Sequence, residues 1–203
     1  MESFDTTTFR AVPKEGEQAL IEWEQRIHDG SRGDKRYMNR ETVRLLLKAF
    51  RTDEQFVDAA MLAVLNPDAT HEQLTTVYNG DPDSRTLGLN RDDHYILTES
   101  LTSRMVWRGV NHPADPTLLT ALDGDLAALT GVDPEGRMAD ANLWAFRAFL
   151  AWLAGDVETA GRHAAAANVL DTGTSQMAAL IIGLLKAGIT VRGGETGRFD
   201  VTA

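Results

Sequence analysis

The sequence predicts an all-α protein: a single compact multi-helix domain ending in a tetratricopeptide-like helix hairpin plus one helix. Three observations carry that expectation. Apolar residues recur at three- and four-residue spacing along most of the 203-residue chain. No stretch alternates apolar and polar residues over a length that would make a half-buried strand. Residues suited to helix caps stand immediately before the periodic segments.

The elements follow in order. Residues 1–14 lack periodicity and contain Pro13, so an extended arm is expected ahead of an all-α domain over 15–190. Glu15 to His28 places Ala19, Leu20, Trp23 and Ile27 on one helical face and meets Asp29-Gly30 as a stop. After the polar loop "DGSRGDKRYM", Asn39 is set to cap a helix whose Val43, Leu46, Leu47 and Phe50 share a face. Thr52-Asp-Glu-Gln55 reads as a capping box for a helix through Phe56, Ala60, Ala63 and Val64, closed by Asn66-Pro67. Thr70-His-Glu-Gln73 is a second capping box, opening a short helix to about Tyr78. "NGDPDSRTLGLN" reads as a long loop, and Ile96, Leu97, Leu101 and Met105 mark a helix after it. Asp115-Pro116 combines an N-cap with proline at the first helical position, ahead of Leu119, Leu122, Leu126 and Leu129. Three further helices are expected at about 138–154, 157–170 and 175–187, the first two forming most of a tetratricopeptide-like segment over 138–187. The glycine-rich 191–203 reads as a flexible tail.

The stretch "LAWLAGDVETAGRHAAAANVLD" (150–171) sets the C-terminal architecture. Gly155 permits a tight turn and Asp156 is placed to cap the next helix. Val157, Ala160, Ala164 and Ala167 then fall on one face. Their small side chains let the preceding helix approach closely, so that Phe146, Phe149, Leu150 and Leu153 pack without voids. The Gly-Asp turn, the spaced alanines and the closing Leu-Asp resemble the second helix of a tetratricopeptide unit, present in one copy. Residues 141–188, with Trp152, the Leu153-Ala-Gly-Asp156 turn, the alanine-spaced helix and the closing "LLKAG", resemble the C-terminal segment of an actinobacterial and phage family, domain of unknown function 4192. The resemblance implies the helical half alone: the family's N-terminal α/β half has no counterpart in strand pattern here, and Thr172 stands where the family usually has proline. It implies no activity.

Composition narrows the function classes. Hydrophobic residues at 43% and charged residues at 25% are ordinary for a globular domain. The absence of cysteine excludes disulfides and thiolate metal sites and suits a reducing cytoplasm. The opening residues show no basic stretch running into an apolar one, so no signal peptide is expected. The longest apolar run, Met177–Leu185, is about half a membrane span, so no membrane partner is expected. A net charge of −10 argues against general binding of phosphate backbones.

No residue constellation predicts an enzyme, a cofactor or a metal. The histidines at 28, 71, 94, 112 and 163 lack the helical pair spacing of a zinc motif. "RDDHY" (Arg91–Tyr95) sets Asp92 and Asp93 beside His94, the one cluster an enzyme would use for acid–base work, though it also suits a polar helix start. "DPDSR" (81–85) lacks the glycine and closing glutamate of a calcium loop. "RGGETGR" lacks the Lys-Ser/Thr of a phosphate loop.

Charge asymmetry points instead to interaction. At about 100° per residue, Arg40, Arg44, Lys48 and Arg51 fall within a stripe roughly 80° wide. The segment 26–51 also holds Arg26, Arg32, Lys35 and Arg36 against Asp29, Asp34 and Glu41. The leading expectation is a non-enzymatic, cytoplasmic interaction or adaptor protein that docks an unidentified protein partner on this stripe. The alternative is a nucleic-acid-associated regulator using the same residues. Trp23, Trp144 and Trp152 are expected in the core, whereas Trp107 is a candidate interface anchor. In the closing helix, Met177, Leu180, Ile181, Leu184 and Leu185 are expected to pack on the hairpin. Ala178, Ala179, Ile182 and Gly183 form a second apolar face, covered either by helices from 15–65 or by a second copy in a homodimer.

Overall fold

The computed structural model describes residues 14–32, 38–79, 110, 114–130, 137–170 and 176–191, among which helices are the only regular secondary structure. α1 spans Lys14–Ser31, α2 Arg40–Thr52, α3 Glu54–Leu65, α4 His71–Tyr78, α5 Pro116–Leu129, α6 Arg137–Leu153, α7 Val157–Leu170 and α8 Gln176–Lys186. The chain is all-α, as its periodicity predicts. The N-terminal arm, the helix expected after Ile96 and the tail beyond Val191 lie outside the described residues.

Local capping chemistry starts most of these helices. Asn39 accepts from the backbone N–H groups of Glu41 and Thr42, each at 2.9 Å. Thr70 and Gln73 complete a reciprocal capping box. Asp115 accepts from Thr117 at 2.8 Å ahead of Pro116, and Asp156 from Thr159 at 3.0 Å. Each cap satisfies an N–H that the first helical turn leaves without a partner.

Two boundaries differ from the sequence reading. α2 continues through Thr52, so Asp53 rather than Thr52 caps α3, accepting from Phe56 at 3.2 Å. The Thr52 hydroxyl is used within α2, donating to the Lys48 carbonyl at 3.0 Å. α1 passes through Asp29-Gly30 to Ser31. Gly30 is buried there, and a Cβ would lie 2.9 Å from Leu118 Cδ1, so this glycine admits α5 rather than ending α1.

α1 and α6 are the hubs of the packing. α1 lies against α2, α3, α4 and α5, and α6 against α2, α5, α7 and α8. An aromatic knot joins the two halves: Trp23 of α1 meets Phe50 of α2 and Phe146 of α6 edge-on, at centroid distances of 5.4 and 5.7 Å. Phe50 also meets Phe56 of α3 at 5.1 Å and Phe146 at 5.3 Å. Such edge-to-face pairs add about 0.5–1.5 kcal/mol each beyond area burial. The Trp23 indole donates to the Ala60 carbonyl at 3.2 Å, satisfying its one polar atom inside the core. α3 is apolar on nearly every side, and Phe56, Val57 and residues 59–65 are all buried.

α6 and α7 form the expected hairpin. Ala160, Ala164 and Ala167 are fully buried, as are Phe146, Phe149, Leu150 and Leu153. Val157, the first residue of α7, departs from the expected buried face, at 45% exposure. Gly155 carries φ +75, and the N–H of Asp156 returns to the Ala151 carbonyl while that of Gly155 returns to Trp152. This is a Schellman cap, which needs a left-handed residue. α8 ends in the same way: Gly188 has φ +71, with bonds from Ile189 to Leu184 and from Gly188 to Leu185. The chain then folds back over the first turn. Trp152 Nε1 donates to the Ile189 carbonyl at 3.0 Å, and Val191 is buried. Val191, which the sequence reading assigned to the tail, thus belongs to the core.

Candidate functional site

α2 presents the basic stripe on its outer side. Its inner face buries Leu46, Leu47, Ala49 and Phe50. Arg40, Arg44 and Lys48 are exposed, whereas Arg51 is half-buried at the end of the helix. Lys48 forms an ion pair with Glu15 of α1. The hydrogen bond and charge of Lys48, helped by the nearby Arg44 charge, hold the Glu15 carboxyl below its usual range. Arg40 and Arg44 make no ion pair with another described residue.

The wider basic segment is smaller in space than in sequence. Arg26 points inward: its side chain is 5% exposed and bonds Asp125 of α5 at 3.0 Å. It is an interior tie between α1 and α5 and contributes nothing to the outer face. Burial raises the Asp125 carboxyl above its ordinary value, against the opposing pull of the Arg26 hydrogen bond and charge. Arg32 is exposed, and Lys35 and Arg36 lie outside the described residues.

The four residues of the proposed self-association face do not share one environment. Ala178 is buried and Ile182 is half-buried against the core, while Ala179 and Gly183 are exposed. Among the described residues α8 packs on α6 and α7. Met177 and Ile181 are buried there, and Leu180, Leu184 and Leu185 are half-buried, as the first apolar face predicts. Lys186 joins Ala179 and Gly183 on the outward side.

Three side-chain groupings were not singled out by the sequence. His71, at the start of α4, has Nδ1 2.6 Å from Glu24 Oε1 and Nε2 3.9 Å from Glu17 Oε1, both on α1. Thr75 Oγ1 lies 3.5 Å from Nε2, but its hydroxyl donates to the His71 carbonyl at 2.8 Å, so its proton is committed to the backbone. Tyr78 donates its phenol to Asp53, the cap of α3. The third group is Asp123, Trp144, Arg147 and His163, spread over α5, α6 and α7. Trp144 is accordingly half-buried and not a core residue, unlike Trp23 and Trp152. Each grouping joins residues of separate helices, so spacing along one helix could not reveal it.

Asp92, Asp93, His94 and Trp107 lie outside the described residues, as do residues 81–85. Among the described residues no group of histidines and carboxylates is arranged to hold a metal ion, and no helix is long and apolar enough to cross a membrane. No family model, curated protein or solved structure matches the chain.

Proposed function

We propose that this chain is a non-enzymatic interaction protein that docks an acidic segment of a protein partner on the outer face of α2. The supporting observation is the pair of exposed guanidinium groups, Arg40 and Arg44, one turn apart on a rigid helix of a chain with net charge −10. Lys48 extends the ridge, already shared with Glu15. Guanidinium groups bind carboxylates through two parallel hydrogen bonds, which gives direction as well as attraction. The tetratricopeptide-like hairpin and the resemblance of 141–188 to an actinobacterial family suit an adaptor and add no chemistry.

A nucleic-acid regulator is the less favoured reading of the same face. With Lys48 engaged and Arg51 half-buried, two cations remain fully presented. Neutralising two phosphates gives a salt slope of only about −2, too small for duplex binding in a chain of this overall charge.

The test is comparative affinity capture with the full chain, wild type against the Arg40→Glu/Arg44→Glu double variant, from cells that encode it. Proteins retained by wild type, lost with the variant and cross-linked to α2 support the proposal. Identical capture by both forms overturns it. A mobility shift of duplex DNA that the variant abolishes would transfer the face to the nucleic-acid reading.

A further inference from the structure

A chain of four half-buried side chains crosses the outer edges of three helices. Asp123 of α5 accepts from Arg147 of α6 through both carboxylate oxygens, at 2.8 Å from Nε and 3.2 Å from a terminal nitrogen. The Arg147 guanidinium lies over the Trp144 indole, 4.8 Å from its centroid. Trp144 in turn meets the imidazole of His163 on α7, with ring centroids 4.9 Å apart and planes inclined at 47°.

We propose that these side chains form a proton-operated latch: a proton on His163 drives its ring off Trp144 and loosens the outer edge of α7 from α6. The neutral imidazole suits its place, because contact with the indole edge or face in a half-buried site needs less hydration than a charge would. An imidazolium there has to recover solvation or find an anion. The two carboxylates facing it already serve other groups: each oxygen of Asp123 accepts from Arg147, and Asp156, the exposed cap of α7, accepts from Thr159. The Arg147 guanidinium lies over the same indole, 4.8 Å from its centroid, so a second cation beside that ring meets the repulsion of its charge at short range. Arg162 adds another positive charge from α7, and the charged residue described on α8, Lys186, is exposed. The hairpin itself stays closed, since Ala160, Ala164 and Ala167 form its seam and carry no titrating group.

The direction of the equilibrium follows from the same groups. Burial first, and then the Arg147 charge, hold the His163 imidazole below its ordinary value of 6.5, with Asp123 and Asp156 opposing. The fold therefore favours neutral His163. Stability falls as pH drops from 6.5 to the lower midpoint of the folded protein, and this contribution is fully lost below it.

The experiment is an NMR titration of the full chain between about pH 8 and about pH 5, a range that brackets histidine. It follows the His163 ring, the Trp144 indole N–H and the NOE between the two rings, with Trp144→Phe assigning the indole. The expected result is loss of the NOE with the same midpoint as His163, below 6.5, at constant far-ultraviolet circular dichroism. His163→Gln should remove the pH response of Trp144. Exposed Arg162→Gln should move the midpoint upward, which keeps the test decisive if the first variant folds poorly. An NOE that survives protonation, a Trp144 response that persists in His163→Gln, or a midpoint at or above 6.5 overturns the latch.

Discussion

Replacing Gly155 with alanine, beside the same change at Gly188, separates two forces at the C-terminal end of the fold. Both glycines take the left-handed position of a Schellman cap, with φ +75 and +71. That backbone costs a residue bearing a Cβ about 1–2 kcal/mol. For Gly188→Ala this is the whole penalty, because the added Cβ meets nothing within 4 Å. At Gly155 the Cβ would sit 2.9 Å from the Val191 carbonyl oxygen. That carbonyl is hard to displace. Val191 is 3% exposed, and two residues before it the Ile189 carbonyl accepts from the Trp152 indole at 3.0 Å. Forcing the segment away adds an overpacking cost of about 1–3 kcal/mol, so Gly155→Ala totals about 2–5 kcal/mol. In a protein of this size each kcal/mol lowers Tm by about 2–4 °C. The expected losses are then about 2–8 °C for Gly188→Ala and about 4–20 °C for Gly155→Ala. Thermal melts followed by circular dichroism, with urea midpoints as a second measure, decide the matter. Equal melting temperatures would refute the packing of Val191 on the turn. A Gly188→Ala protein as stable as wild type would refute the left-handed cap.

Two further substitutions probe the interior. Ala164→Leu, at a fully buried position of the α6–α7 seam, should cost about 1–3 kcal/mol, whereas Ala165→Leu on the exposed side of the same helix should stay within about 0.5 kcal/mol; equal melts for the two would show that the alanine face is misplaced. Arg26→Met leaves the partly buried Asp125 without its cation and should cost about 2–4 kcal/mol near neutral pH, somewhat less than for a fully buried pair. Arg26 pulls the Asp125 carboxyl down against the larger raising effect of burial, so without it the folded variant takes up that proton at higher pH, and the cost should shrink as pH falls and the carboxyl becomes neutral. A loss independent of pH, measured by denaturant unfolding, would refute that account.

The elements were legible because their causes are local. Trp23, Phe50 and Phe146 lie on the apolar faces that their spacing assigns, and the Asn39, Thr70, Asp115 and Asp156 caps act over two or three residues of chain. The alanine seam of α7 was legible for the same reason: Ala160, Ala164 and Ala167 share an angle around one helix. Thr52 was misread because Thr52 and Asp53 can both cap, and continuation of α2 chooses between them.

What a face meets belongs to the tertiary structure. Arg26 and Arg44 each stand beside an apolar residue on an amphipathic helix, Ile27 and Val43, yet Arg26 turns inward because Asp125, ninety-nine residues away, waits beside it, while Arg44 looks out. Trp144 and Trp152 sit on one helix within the same apolar pattern, but Trp152 is covered by the returning chain at Ile189 and Trp144 stands at an edge between Arg147 and His163. Ala178 and Ala179 are neighbours in an apolar run, and only the packing of α8 on α6 and α7 buries the first and exposes the second. The sequence by itself determined which described segments are helical, which angle around each is apolar and the −10 charge of the chain. The tertiary structure decided which charged and aromatic groups reach solvent, because periodicity reports the angle of a side chain on its own helix and carries no information about which neighbour lies at that angle.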